Sequence, residues 1–186
     1  MIKSEYEPSR RPAFTARNIN REASPFLSTL VPYSSIVIGS ILPTVVVSSS
    51  IGFVPPLGFL LLIGWRLMRP GLLPSWVGLP LGAIDDLFSG QPFGSAILLW
   101  SLTMLAIEWF EARFPWRGFA QDWLAAIIAT GLYVVLCVAA SGASMNPALL
   151  AAMLPQLLLS LLLYPIIAQM VSSLDKFRLM PIREIR

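Results

Sequence analysis

The hydrophobic positions of the chain fall into long uncharged runs that are separated by short charged stretches. No charged residue lies between Glu22 and Arg66, and none lies between Asp122 and Asp175. A helix needs about 20 mostly apolar residues to cross a hydrocarbon core ~30 Å thick, so runs of this length are typical of membrane-spanning helices. The pattern predicts six such helices, at residues 31–50, 53–69, 72–89, 92–110, 122–140 and 147–174.

Composition supports a membrane domain of residues 26–175 with a polar segment on either side. Of the 186 residues, 56% are hydrophobic and only 12% are charged, whereas soluble domains carry about 25% charged residues. Residues 1–25 form a basic, proline-containing arm, and residues 176–186 form a basic tail. The chain is therefore predicted to be an all-α integral membrane protein with one transmembrane domain.

The positions of the 13 Lys and Arg residues predict the topology. Cytoplasmic loops carry the excess of basic residues, and six crossings with both termini in the cytoplasm place every one of them on the inner side. We interpret these residues as topology or lipid-facing cations rather than as a nucleic-acid site. They include Arg10, Arg11, Arg17, Arg21, Arg66, Arg69, Arg113, Arg117, Lys176 and Arg178.

Two adjacent carboxylates, Asp85 and Asp86, lie well inside the third predicted crossing. A charge at the centre of a membrane helix costs about 2.5–3.5 kcal/mol on insertion scales, and no Lys or Arg lies near this depth. Each carboxylate is therefore protonated, hydrated in a cavity, or hydrogen-bonded within the bundle or by a partner. The pair is a candidate polar site.

Helical spacing distinguishes the two aspartates. Residues four apart share one face of a helix, which places Asp86 in a row with Gly78, Gly82 and Gly90, while Asp85 points about 100° away. Rows of small residues let another helix approach closely, so we expect helix packing or partner binding along this row. Expected polar neighbours on other helices are Ser101, Thr103, Gln156, Ser160 and Tyr164, and helix kinks are expected at Pro80 and Pro165.

The residue inventory argues against catalysis. The chain has no histidine and a single cysteine, Cys137, so histidine-dependent triads, histidine metal sites and thiolate clusters are absent. No glycine-rich phosphate loop is present. We expect no enzyme activity, no metal and no cofactor.

Residues 78–94 read GLPLGAIDDLFSGQPFG, which resembles the signature of the bacterial rod shape-determining MreD family. The family pattern G-x3-G-x3-D-L-x-x-G-x-x-x-G is matched by Gly78, Gly82, Asp86, Leu87, Gly90 and Gly94. The resemblance extends to an apolar run from Pro56 to Trp65 and to the Tyr164-Pro165 pair, while the first and fifth predicted helices match in hydropathy alone. Asp85 departs from the pattern because an apolar residue is expected there, and the basic arm is longer than usual.

The resemblance implies a multi-pass protein of the bacterial inner membrane that is a scaffold or regulator of the cell-elongation machinery. Such proteins maintain rod shape and lateral peptidoglycan synthesis. Implied partners are the bitopic protein MreC, the wall-synthesis polymerase and penicillin-binding transpeptidase, MreB filaments directly or indirectly, and membrane lipids. The implied fold is similar to the substrate-binding subunits of energy-coupling factor transporters. The alternative is a vitamin-like small-molecule binding subunit of a transporter, with a pocket at Asp85 and Asp86.

Overall fold

The computed structural model describes residues 25–46, 54–113, 118–142 and 146–179. Within them the chain forms six α-helices and one turn of 3₁₀-helix. The α-helices are α1 (Pro25–Val46), α2 (Leu57–Met68), α3 (Gly78–Phe88), α4 (Ser95–Arg113), α5 (Phe119–Ala140) and α6 (Pro147–Arg178), and the 3₁₀ turn at Ser75–Val77 leads into α3. The prediction of an all-helical membrane protein is confirmed. The predicted arm and the last residues of the predicted tail lie outside the described residues.

Four of these helices, α1, α4, α5 and α6, are long and apolar enough to cross a membrane. In contrast, α2 has 12 residues and α3 has 11, so each is about 17–18 Å long at 1.5 Å per residue. Each is shorter than a hydrocarbon core of ~30 Å. The third predicted helix, residues 72–89, is thus divided into a loop, the 3₁₀ turn and α3. Six complete crossings remain a prediction.

The short helix α2 lies at the centre of the bundle, and every residue from Gly58 to Leu67 is buried. Its proline-proline lead-in provides a fixed backbone for the first turn. Phe59 stacks on Tyr133 of α5 with 4.2 Å between ring centroids. Trp65 donates its indole N–H to the Ser35 hydroxyl of α1 at 2.9 Å. The longer helices surround α2 and present exposed leucines outward, as a lipid-facing surface requires.

A close approach between α1 and α2 depends on two glycines that the sequence pattern did not single out. A Cβ at Gly58 would lie 3.1 Å from the Ser40 backbone, and one at Gly39 would lie 3.2 Å from the Gly58 backbone. Small residues at such a crossing let two helix backbones pack directly on each other.

Ion pairs join three helices, α2, α4 and α6, at what we call the charged end of the bundle, formed by Arg66, Arg69, Glu111, Asp175 and Arg178. Arg66 of α2 binds Glu111 of α4 at 2.9 Å. Asp175 of α6 accepts from the Nε atoms of both Arg69 and Arg178 at 2.8 Å.

The charged end also includes the start of α1, because Arg178 donates to the carbonyl of Ser28 at 3.1 Å. The start of α1 and the ends of α2, α4 and α6 therefore meet, as the predicted up-and-down order of the helices requires. That this end faces the cytoplasm remains a prediction.

The lipid-facing role expected for two of the arginines is wrong. Arg66 is 5% exposed and Arg178 is 8% exposed. Both guanidinium groups point into the protein because each has a carboxylate partner there, and Arg66 also donates to the carbonyl of Leu73. Arg69, Arg113 and Lys176 are exposed at the same end. Arg10, Arg11, Arg17, Arg21 and Arg117 lie outside the described residues.

Replacing Glu111 with glutamine should destabilise the protein by about 3 kcal/mol, because removal of one partner leaves a buried charge without compensation. The matched control is Glu108→Gln, an exposed position on the same helix, where we expect a change within about 0.5 kcal/mol. The measurement is equilibrium unfolding in detergent. Equal effects of the two substitutions would show that the Arg66 pair does not support the bundle.

Candidate functional site at the α3–α4 corner

The carboxylate of Asp86, near the end of α3, binds the first turn of α4. Its Oδ2 atom accepts from the backbone N–H of Gly94 at 2.9 Å and of Ile97 at 3.2 Å. Its Oδ1 atom accepts from the backbone N–H of Ala96 at 2.9 Å and from the Ser95 hydroxyl at 3.4 Å. The side chain is buried, with 5% of the residue exposed.

These contacts supply acceptors for the backbone N–H groups at the start of α4. The first four N–H groups of an α-helix have no partner within it, and its N-terminus carries a partial positive charge that favours an anion. Three of the four N–H groups bind Asp86, and the fourth, that of Ser95, donates to the Pro92 carbonyl at 3.0 Å. The carboxylate of α3 therefore acts as the cap of α4.

A comparison of the cost of burial with the contribution of the hydrogen bonds explains why a buried acid is tolerated at this position. Exposing a carboxylate to hydrocarbon costs about 2.5–3.5 kcal/mol on insertion scales. A hydrogen bond to a charged group contributes about 1.5–3 kcal/mol, and Asp86 makes three with backbone donors alone. The site needs no basic side chain, because the end of α4 provides the compensating charge.

The turn between α3 and α4 needs two glycines for its backbone. Gly90 has φ +68° and Gly94 has φ +98°, a region that side chains with a Cβ rarely adopt. The sequence pattern placed Gly90 on the helical row of Asp86, but α3 ends at Phe88 and both glycines lie in the connection. An added Cβ at either position would meet no atom within 4 Å, so their role here is conformational.

Gly78 and Gly82 allow α3 to pack directly on the backbone of α4. A Cβ at Gly82 would lie 2.7 Å from the Ala96 carbonyl oxygen, and one at Gly78 would lie 2.9 Å from the Ser101 backbone. Both distances are too short for any side chain. The glycine row is therefore covered by α4 of the same chain, and this contact holds Asp86 level with the start of α4.

Asp85 faces a different part of the bundle. It is 7% exposed, and its Oδ2 atom accepts from the Tyr133 hydroxyl of α5 at 3.4 Å. The 100° offset expected from helical geometry thus sends one aspartate to α4 and the other towards α5.

Several expected neighbours of the aspartates bind elsewhere. The hydroxyls of Ser101, Thr103 and Ser160 donate to carbonyls of their own helices, and the Gln156 amide donates to the Val54 carbonyl. The expected partners were side chains, whereas the partners of Asp86 in the structure come mainly from the backbone of α4. The available signal was an acid eight residues before Gly94-Ser95, where a turn leads into a new apolar run.

The two expected kink positions differ in the structure. Pro165 lies inside α6. Pro80 lies in the first turn of α3, because α3 begins at Gly78 rather than at residue 72. A proline in the first turn removes an N–H that has no helical partner anyway, so the kink expected at Pro80 has no physical basis there.

A scan against protein-family models matched residues 20–175 to the family described as rod shape-determining protein MreD. The chain belongs to the MreD family. Searches of curated proteins and of solved structures found no significant match, so the expected similarity to transporter subunits stays a prediction. Family membership assigns a role in rod shape determination and a multi-pass location in the inner membrane.

The MreD pattern is accounted for by the α3–α4 corner, with one exception. Gly78 and Gly82 give close approach, Asp86 caps α4, and Gly90 and Gly94 shape the turn. Leu87, by contrast, is 69% exposed. MreD proteins are shape-determining structural proteins rather than a known enzyme family, and in this corner both oxygens of Asp86 are used by α4.

Gly82→Ala should destabilise the protein by about 1–3 kcal/mol, the usual cost of overpacking, because the new methyl group meets the α4 backbone rather than a movable side chain. The control is Gly131→Ala in α5, where an added Cβ meets nothing within 4 Å. Thermal unfolding in detergent measures both. An unchanged Gly82→Ala protein would contradict the close approach of α3 and α4.

Asp86→Leu should reduce stability by about 3 kcal/mol or more, since three backbone donors lose their acceptor and each unmet donor costs about 1–3 kcal/mol. Asp85→Leu should cost less, because the hydrogen bond of Asp85 to Tyr133 is long, at 3.4 Å, and Asp85 binds no backbone donor among the described hydrogen bonds. Unfolding midpoints and cell-shape complementation should rank the two variants in the same order. The reverse order would assign the main structural role to Asp85.

Proposed function

We propose that the chain is a non-enzymatic scaffold of the cell-elongation machinery that binds an MreC-like bitopic protein. In this role it supports lateral peptidoglycan synthesis by holding the wall-synthesis polymerase and transpeptidase, and MreB filaments, within one assembly, directly or indirectly. The observation that carries the proposal is membership of the MreD family over residues 20–175, because the family belongs to the MreBCD shape system.

A partner helix needs a surface other than the glycine row, which α4 already covers. The adjacent face of α3 supplies one. Leu79, Ala83 and Leu87 are spaced four apart and therefore form a stripe along the helix. Leu79 is 51% exposed and Leu87 is 69% exposed. Leu87 is also the one pattern residue without a role in the corner, so we assign the MreC-like helix to this stripe.

The α3–α4 corner makes this surface suitable for docking. Asp86 and the two close-approach glycines hold α3 against α4, so the stripe is presented on a rigid element. A preorganised surface loses less conformational freedom on binding and therefore binds more tightly. The corner then acts indirectly in function, as support for the docking face.

The cavities among the described residues do not favour the transporter alternative. Two of them lie between α4 and α5 and between α5 and α6. Neither is lined by Asp85 or Asp86, whose carboxylates bind α4 and Tyr133 instead.

The proposal is tested by copurification in mild detergent with quantitative identification of partners. The wild-type chain should recover an MreC-like protein and wall synthases. The double substitution Leu79→Ala with Leu87→Ala should reduce recovery of the MreC-like protein about tenfold, equivalent to about 1.4 kcal/mol.

The matched control is Leu98→Ala with Leu105→Ala on α4, where both leucines are also exposed. Recovery should stay at the wild-type level in this variant. Equal losses in the two variants would refute the α3 docking face. Recovery of ATPase subunits with a bound vitamin, in place of wall synthases, would support the transporter alternative.

A further inference from the structure

A cleft between α4 and α5 has a volume of about 790 Å³. Apolar side chains of both helices form its walls. Leu102 and Phe110 of α4 face Leu124, Ile128 and Leu132 of α5, and each of these five side chains is at least 44% exposed. The cleft is therefore open to the outside of the bundle along an apolar wall.

One end of the cleft is polar. Arg113 at the end of α4 and Gln121 in the first turn of α5 line it there, and Arg113 is the one charged side chain among the described lining residues. The Gln121 Oε1 atom accepts from the Gly118 N–H at 3.2 Å, which leaves the amide NH₂ as a donor.

Arg113 differs from the buried arginines at the same end of the bundle. Arg66 and Arg178 are neutralised by Glu111 and Asp175. Arg113 is exposed, and none of the ion pairs among the described residues includes it. A guanidinium with no carboxylate partner among the described residues, at the mouth of an apolar cleft, matches an anionic group attached to a hydrocarbon chain, since arginine binds phosphate oxygens through paired N–H donors.

The length of the cleft matches a lipid chain. On α4 it runs from Leu99 to Arg113, which is about 21 Å at 1.5 Å per residue. Half of a ~30 Å hydrocarbon core is about 15 Å. The cleft therefore accommodates the acyl region of one leaflet and leaves room for the headgroup beside Arg113.

The volume of the cleft is that of a ligand site. Ligand cavities usually measure ~300–1,000 Å³, and this cleft lies within that range. The choice of an anionic lipid over a second protein helix rests on charge, because Arg113 places a guanidinium group beside an apolar wall.

We propose that the α4–α5 cleft is a binding site for an anionic phospholipid. An acyl chain lies between the two helices, and the phosphate binds Arg113 and Gln121 at the polar end. This site is separate from the α3 docking stripe, and it does not depend on which partner the chain binds. It makes a membrane lipid a structural component of the bundle between α4 and α5.

The experiment is native mass spectrometry of the full chain extracted from vesicles that contain equal amounts of phosphatidylglycerol and phosphatidylethanolamine. The wild-type chain should retain phosphatidylglycerol in preference to phosphatidylethanolamine. Arg113→Gln should lower phosphatidylglycerol retention about fivefold. The control Lys176→Gln, an exposed cation at the end of α6 outside the cleft, should stay within about twofold of wild type.

A second pair of variants tests the hydrocarbon part of the site. Ala106→Phe fills the cleft and should lower retention of both lipids, whereas Ala152→Phe, at an exposed position on α6, should not. Thermal unfolding confirms that each variant is folded. Wild-type retention in both Arg113→Gln and Ala106→Phe would overturn the proposal.

A photoreactive residue at Ile128 identifies the occupant in membranes. Crosslinks to phospholipid support the proposal. Crosslinks predominantly to another protein would replace the lipid with a partner helix and would overturn it.

Discussion

One carboxylate, that of Asp86, joins two helices that would otherwise each present a polar end to an apolar environment. Its oxygens bind three backbone N–H groups at the start of α4, so the charge of α3 and the dipole of α4 compensate each other. The geometry works only if the helices are close, and Gly78 and Gly82 provide that closeness. It also needs a tight turn between α3 and α4, which Gly90 and Gly94 allow through positive φ angles. Acid and glycines thus form one structural unit.

At the opposite end of the bundle, side-chain ion pairs compensate the buried charges. There, side-chain ion pairs connect α2 with α4 and α6, and Arg178 also reaches the backbone of α1. A buried pair contributes little net stability against an apolar replacement, but removal of one partner is costly. The pairs therefore favour one arrangement of the helix ends. Between the two ends, α2 fills the core with apolar side chains, and the long helices face lipid.

Much of this architecture follows from simple patterns in the sequence. Uncharged runs predicted where the long helices lie, and the four-residue spacing separated Asp86 from Asp85. The pattern failed where local geometry depends on tertiary contacts. Residues 72–89 are apolar enough for one helix, yet the structure contains a 3₁₀ turn before α3, and Pro80 consequently lies in a first turn. Hydropathy does not report where a helix begins within an apolar run.

The partners of buried polar groups were harder to predict than the helices. Arg66 was expected to reach lipid headgroups, but Glu111, 45 residues away, holds it inside. Polar side chains of other helices were expected near Asp86, but its main partners are backbone N–H groups, which every residue except proline carries and no sequence pattern displays. A single sequence can therefore identify a costly buried group without identifying what compensates it.

The most direct test of this account is the hydrogen-exchange rate of the α4 amides at Gly94, Ala96 and Ile97, measured by nuclear magnetic resonance in the wild-type chain and in Asp86→Ala. We predict that these three amides exchange at least about tenfold faster in the variant, because they lose a bond worth about 1.4 kcal/mol or more, while the amide of Met104 in the middle of α4 is unchanged. Equal protection of the three amides in both proteins would contradict the claim that Asp86 caps α4.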